Sequence, residues 1–185
     1  MFRPKKGRLI FSDYQTKNVK VTWLRLKELA LSQRGRGVVS DVRFLPFKDE
    51  TFDLVSCLEV LEHVGEEKKW NKNYDYRQDV KSVVKELIRV TKRSGHIFVL
   101  VPNKAFPLEI HSKTLFGNYF PNFIHKKLWG NIALSFTRKE LVNYFKSIRI
   151  LKVGSWTRHV KVNFLKFNIT ISLPAFGLYL LGKKM

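Results

Sequence analysis

Apolar and polar positions along the chain switch between two periods, and the switches mark its elements. Phe52 to Leu58 is an apolar, β-rich run with one acidic residue near its start, preceded by the turn-forming Leu45-Pro46-Phe47 and by Lys48-Asp49-Glu50, which predicts a buried strand entered from a loop. Arg8 to Asp13 (RLIFSD) reads as a short strand ending in a carboxylate. Thr16 to Ser32 sets Val19, Trp23, Leu26 and Ala30 among Lys17, Lys20, Lys27 and Glu28, the pattern of an amphipathic helix, stopped by Gly35 and Gly37. Val38 to Val42 is then a short strand containing Asp41.

Further along, Gly65 to Asp79 is a polar, charged and aromatic loop, and Asp79 is placed to cap the following helix. In that helix Val80, Val83, Val84, Leu87 and Ile88 recur at i, i+3, i+4, i+7 and i+8, one apolar stripe that Gly95 ends. His96 to Val101 is a continuous apolar strand, expected to be buried on both faces of a parallel sheet. Lys104 to Trp129 is rich in aromatics and holds His111 and His125. Thr137 is placed to cap a helix from Arg138 to Phe145, and Ser147 to Val153 and Leu173 to Leu181 read as closing strands, the last antiparallel.

Composition narrows the class. At 185 residues, with 44% hydrophobic and 14% aromatic content, the chain suits one globular domain spanning 1–185. Thirty-five Lys and Arg against 15 Asp and Glu leave a charge of +20, which admits an anionic partner such as RNA, although the basic residues are spread and form no block. Cys57 is the only cysteine, so no intrachain disulfide can form. The longest apolar run, Ile169 to Leu181, is broken by polar residues, Pro174 and Gly177, and falls short of the about 20 residues a bilayer span needs. With no signal-peptide pattern at the start, a soluble cytoplasmic protein is the expectation.

The candidate chemistry lies at predicted strand ends. Asp13 and Asp41 close neighbouring strands, and Glu59, Glu62 and His63 follow the Phe52 to Leu58 strand at i, i+3 and i+4, which would put all three on one face of a helical turn. An open parallel sheet takes its ligand at the carboxyl ends of its strands. Each acid also has a purely local reading: Asp13 as an Asx turn or helix cap, Asp41 as a partner of the next loop.

The run from Asp41 to Val64 (DVRFLPFKDETFDLVSCLEVLEHV) closely resembles the middle of class I S-adenosylmethionine-dependent methyltransferases, especially the type 11 group and the ubiquinone-biosynthesis-like O-methyltransferases. The resemblance continues through Lys85 to Asn103 (KELIRVTKRSGHIFVLVPN), with a Glu-x-x-Arg-Val helix, a Gly turn and a strand ending in Pro-Asn. It implies an α/β fold, a Rossmann-like methyltransferase sheet with helices on both faces, and S-adenosylmethionine as cofactor. It assigns Asp13 to the ribose hydroxyls, Asp41 to the adenine amino group, the Val42 N–H to a ring nitrogen, and Leu58 to the same cofactor site.

By the same resemblance His63 and Glu59 are the catalytic candidates, and 104–136 is a substrate lid over a small or lipid-linked substrate. Glu59, Glu62 and His63 also resemble the Glu-x-x-Glu-His set with which some of these enzymes hold a divalent metal. The Val101-Pro102-Asn103 turn replaces the motif of adenine N-methyltransferases, which lowers a nucleic-acid substrate. The family's first strand and its glycine-rich turn have no counterpart before Arg8. The expectation is therefore a fold lacking its first strand and first helix, from a truncated gene product or one piece of a split reading frame, completed by closure of the sheet, a complementing chain or a homodimer. Such a chain is either a methyltransferase, active or inactive, or a non-catalytic remnant or basic RNA-associated module.

Overall fold

The computed structural model describes residues 7–65, 75–105, 134–155, 158–164, 167–173 and 177–185. Their contacts divide the chain into two compact units, Met1–Lys48 and Asp49–Met185.

In the first unit, strand β1 (Leu9–Asp13) pairs in parallel with β2 (Gly35–Val39), Leu9 opposite Gly35 and Asp13 opposite Val39, and helix α1 (Thr16–Glu28) connects them. The helix ends earlier than the predicted Ser32. Ala30 takes φ 55°, the Leu31 N–H donates to the Leu26 carbonyl and the Ala30 N–H to the Lys27 carbonyl. That is a Schellman ending with alanine where glycine is usual, so composition did not announce it. Gly35 and Gly37 do not stop the helix either; they lie within β2. A Cβ on Gly35 would stand 2.7 Å from a Leu26 methyl and one on Gly37 would strike Val19 and Phe11, so the bare backbone is what admits α1 and β1. Leu26 is the only buried hydrophobic residue described in this unit, and Trp23, predicted to face inward, is 41% exposed beneath the Lys27 ammonium. Strand β2 stops at Val39 and does not reach Val42; the Ser40 N–H makes the last contact, to the Asp13 carbonyl.

The second unit is built on a four-stranded sheet ordered β3-β4-β8-β5. Strand β3 (Phe52–Leu58) has the predicted bounds and runs parallel to β4 (Thr91–Pro102); β8 (Gly177–Lys183) is antiparallel to both β4 and β5 (Arg149–Ser155). A separate antiparallel pair joins β6 (Arg158–Phe164) and β7 (Phe167–Leu173). Leu173 therefore closes β7 and does not open β8. The predicted Ser147 start of β5 falls in a turn, because the Ile148 N–H still bonds back to the Phe145 carbonyl.

Helix α2 (Tyr76–Val90) buries Val80, Val83, Val84, Leu87 and Val90 along the predicted stripe. Its cap is Asp75, which accepts the Arg77 N–H, while Asp79 sits one turn in. The helix passes directly into β4 at Thr91, whose hydroxyl donates to the Leu87 carbonyl, so Gly95 lies inside the strand. Its last turn is fastened to the approach to β3 by backbone bonds from Glu50 and Thr51 to the carbonyls of Arg89 and Val90, with Arg89 also paired to Glu86 and Asp49 at 2.7 Å each. In β4, Ile97, Val99 and Val101 are buried while Phe98 and Leu100 are only half-buried. The expected burial of both faces is replaced by the alternation of a mixed sheet.

Helix α3 (Arg138–Tyr144) buries Leu141, and Phe145 and Ile148 behind it complete the core with Leu178 and Leu180. Thr137 caps it as predicted, in a reciprocal box with Glu140. Burial by itself would raise the Glu140 carboxyl, but the Thr137 N–H and hydroxyl, with Lys104 and Arg77 nearby, outweigh it and hold the group below 4.5. A depressed carboxyl contributes stability above its unfolded value and loses it as pH falls through the folded one. Thr137→Ala is expected to cost about 1 kcal/mol in urea unfolding at pH 7, and the difference from wild type should shrink below about pH 4 as Glu140 protonates in both.

Candidate active site

In each unit taken by itself, polar groups that the sequence singled out lie at or just beyond the carboxyl ends of parallel strands. In the first unit, Asp13 ends β1 and Asp41 stands two residues beyond β2, so the two acids follow adjacent, hydrogen-bonded strands. Asp13 Oδ1 accepts the Gln15 N–H at 2.8 Å and the Asn18 amide at 3.1 Å. This is the Asx turn of the local reading, and it launches α1. Among the described residues no bond reaches Asp13 Oδ2, so the carboxylate retains acceptor capacity.

Asp41 is engaged more fully. Its Oδ1 accepts the Arg43 N–H at 2.8 Å, and both oxygens are gripped by the Arg43 guanidinium, the shortest contact being 2.7 Å. Strand β2 ends where its partner does, Val39 being opposite Asp13, the last residue of β1, and the fork then holds Asp41 to Arg43 in a local turn. The half-buried Val42 between them has an N–H that donates to no described residue. Sequence reasoning missed Arg43, although an Asp-x-Arg triplet at a strand end was its available signal.

In the second unit, β3 delivers Leu58 with 49% of its surface exposed, and Glu59 then adopts φ 53° while its N–H donates to the Leu100 carbonyl. A 3-10 turn follows over Leu61–His63. Glu59 and His63 are exposed and Glu62 is 1% exposed, so the expected shared face does not form. The spacing i, i+3, i+4 aligns side chains only on a continuous α-helix, and the left-handed Glu59 lies outside a turn of three residues. Accordingly, Glu59, Glu62 and His63 do not assemble a metal site, and no cluster of three metal-ligating groups occurs among the described residues.

At the end of neighbouring β4, Asn103 is 8% exposed, accepts the Ala105 N–H through its side chain and bridges in parallel to Phe136. The Lys104 N–H donates to the Phe136 carbonyl and the Phe136 N–H to the Pro102 carbonyl, so both ends of the 104–136 segment meet at this strand tip. Residues 106–133, with most of the expected lid including His111 and His125, lie outside the described residues, as does 66–74 of the Gly65 to Asp79 loop. No described helix is long and apolar enough to cross a membrane.

Comparison with known proteins places these strand ends in context. The family described as a methyltransferase domain matches residues 3–99. An uncharacterized protein of Methanocaldococcus jannaschii is 35% identical over 92 residues, 50% of this chain and 34% of that protein, so the chain spans about a third of this curated relative. Among solved structures, a methyltransferase-like protein of Bacillus halodurans superposes with TM-score 0.64 and 13% identity over 96% of this chain and 83% of its own. A SAM-dependent methyltransferase of Methanosarcina mazei gives TM-score 0.59 and 15% identity over 95% and 81%. At these identities the likeness is one of fold, a Rossmann-like α/β sheet.

Cys57 is the one thiol inside β3, and its surroundings make it inert. Burial first, and the charge of Glu62 second, push its thiol from 9.0 up to about 12. Native protein is expected to resist iodoacetamide at pH 8 and to label only after denaturation. Because the native thiol keeps its proton where the unfolded one has lost it, stability should be intact below about pH 9 and fall as pH rises toward 12, a slope that Cys57→Ala should remove.

Proposed function

Because this chain belongs to the methyltransferase-domain family, we propose that it acts as an S-adenosylmethionine-dependent methyltransferase on a hydroxyl of a small or lipid-linked substrate. The observation that carries this reading is the pair of acids at the carboxyl ends of β1 and β2, with Asp13 Oδ2 and the Val42 N–H directed to no described partner. A carboxylate with open lone pairs suits two vicinal ribose hydroxyls, and a strand-end carboxylate beside an open N–H suits the paired donor and acceptor of an adenine edge. Asp13, Asp41, Val42 and Leu58 are the residues that would hold the cofactor. When bound, it supplies an activated methyl group.

The chain's own contribution is orientation and proton removal. His63, exposed just past β3, would take the substrate hydroxyl proton, with Glu59 helping to position that hydroxyl. The 104–136 segment would act as the lid of a single methyltransferase-like domain, a role supported by the meeting of its two ends beside Asn103. Metal assistance has no support in the arrangement of Glu59, Glu62 and His63.

A second reading is favoured by one feature, the bidentate hold of Arg43 on Asp41. If that pair persists against the nucleoside, the chain is a non-catalytic remnant or a basic module that uses its +20 charge to associate with RNA. Calorimetric titration with S-adenosylmethionine separates the two. Micromolar binding is expected, weakened by about 1–3 kcal/mol in Asp41→Ala; absence of binding together with steeply salt-dependent RNA retention would select the second reading. His63→Ala should leave that affinity unchanged while lowering kcat by about 10²–10⁴ on an accepted substrate, and an unaltered kcat would remove His63 from the chemistry.

A further inference from the structure

Between β5 and β8 the chain makes an excursion that no other strand joins. Strands β6 and β7 pair antiparallel from Arg158 opposite Leu173 to Phe164 opposite Phe167, as a sheet of their own, and among the described elements neither packs closely on anything but the other. The root of this ribbon is fixed by the sheet it leaves. Ser155, Leu178 and Val101 stand in one row across β5, β8 and β4, next to the pair of Gly177 with Pro102. Arg158 comes three positions after Ser155, a reach of about 11 Å at most. The ribbon is therefore rooted at the end of the sheet where Asn103 bridges to Phe136.

Alternation along the paired strands sorts its sequence by face. Beyond the first pair, Val160, Val162 and Phe164 fall on one face with Ile171, Ile169 and Phe167, while His159, Lys161 and Asn163 fall on the other with Ser172, Thr170 and Asn168. A two-stranded ribbon alone is marginal in water, so the apolar face calls for a cover. Charge selects it. From Leu141 to Met185 the sequence holds no Asp or Glu, and the arm carries Arg158, Lys161 and Lys166. A second copy would bring charge of the same sign and be repelled. Nucleic acid would satisfy the charge but find neither a hydrogen bond nor an aromatic plane at Val160, Val162, Ile169 and Ile171. An anionic bilayer surface answers both features.

We propose that β6 and β7 form an arm that docks on anionic membrane, with its apolar face toward the acyl boundary and its basic residues among the lipid phosphates. The arm lies in that boundary and does not cross it, because the outer edges of a two-stranded ribbon leave backbone groups that hydrocarbon cannot satisfy. Docking brings the β4 tip to the bilayer surface, where a lipid-linked substrate resides. That consequence, unlike the docking, rests on the lipid-linked reading given above.

Flotation of the full chain with vesicles tests the arm, in the absence of S-adenosylmethionine. Vesicles of phosphatidylcholine and phosphatidylglycerol in equal parts should carry the chain, and pure phosphatidylcholine should carry about tenfold less. The triple variant Val162→Thr, Ile169→Thr, Ile171→Thr keeps the β-branched shape that suits a strand and should weaken retention by about tenfold or more. A polarity-sensitive fluorophore supplies a second measurement, attached in turn to Val162→Cys and Asn163→Cys, since the buried Cys57 does not take it up. Emission should move to the blue on adding anionic vesicles at position 162 and stay unchanged at 163. No retention, retention unaltered in the triple variant, or the same response at both positions would each overturn the proposal. So would a label at 162 already blue-shifted without vesicles, which would show that the chain covers this face itself. A two-chain mass for the wild type that falls to one in the triple variant would give the face to a second copy, and RNA retention lost in that variant would give it to nucleic acid; either result also overturns the arm. Vesicle retention with a failed cofactor titration would strike the methyltransferase reading alone, and the reverse would strike only the arm.

Discussion

The packing of one face of β4 against α2 is the constraint from which the rest of the second unit follows. Ile97, Val99 and Val101 project toward Val80, Val83, Val84 and Leu87, and every one of these side chains is buried. The helix passes into the strand at Thr91, and regular alternation begins at His96, after a register shift against β3 and a left-handed Ser94. That alternation sets which residues of β3 and β8 turn inward: Cys57 lies beside Val99, and Leu180 pairs with it from the other side. It also decides that Leu58 and Glu59 leave β3 beside the end of β4, where Asn103 closes its own turn.

The first unit is organised on a different principle. It buries a single hydrophobic residue among those described, Leu26, and its helix rests on a strand cleared of side chains at Gly35 and Gly37. Close approach of helix and strand at two glycines, with side chains such as Phe11 and Val19 half-buried against them, marks the described part of this unit. The Schellman ending at Ala30 places a left-handed alanine at the helix end, where glycine would be unstrained.

Much of this was legible in the residues. The β3 run matches its predicted bounds because turn residues flank an unbroken apolar segment, and Thr137 caps its helix because Thr-x-x-Glu satisfies two backbone donors locally. The pairing of the two strands that Asp13 and Asp41 follow also agrees with the reading of neighbouring strands. Where the reading failed, local geometry without a compositional mark was responsible. Ala30 ended a helix in the role of a glycine, two glycines served packing where a stop was read, and the positive φ of Glu59 dispersed three residues whose spacing suits an α-helix. The Asp41–Arg43 fork was missed because the acid was weighed without its neighbour.

The Asn103–Phe136 bridge carries a consequence for how such a protein can diversify. The two ends of the intervening sequence are held together by hydrogen-bonded neighbours, and doubling the length of a flexible loop adds only about 0.6 kcal/mol of closure entropy. The β4 tip thus behaves as a socket: its backbone bonds fix where the intervening sequence leaves and where it returns, and by closure entropy alone a change in the length of that sequence costs the fold little.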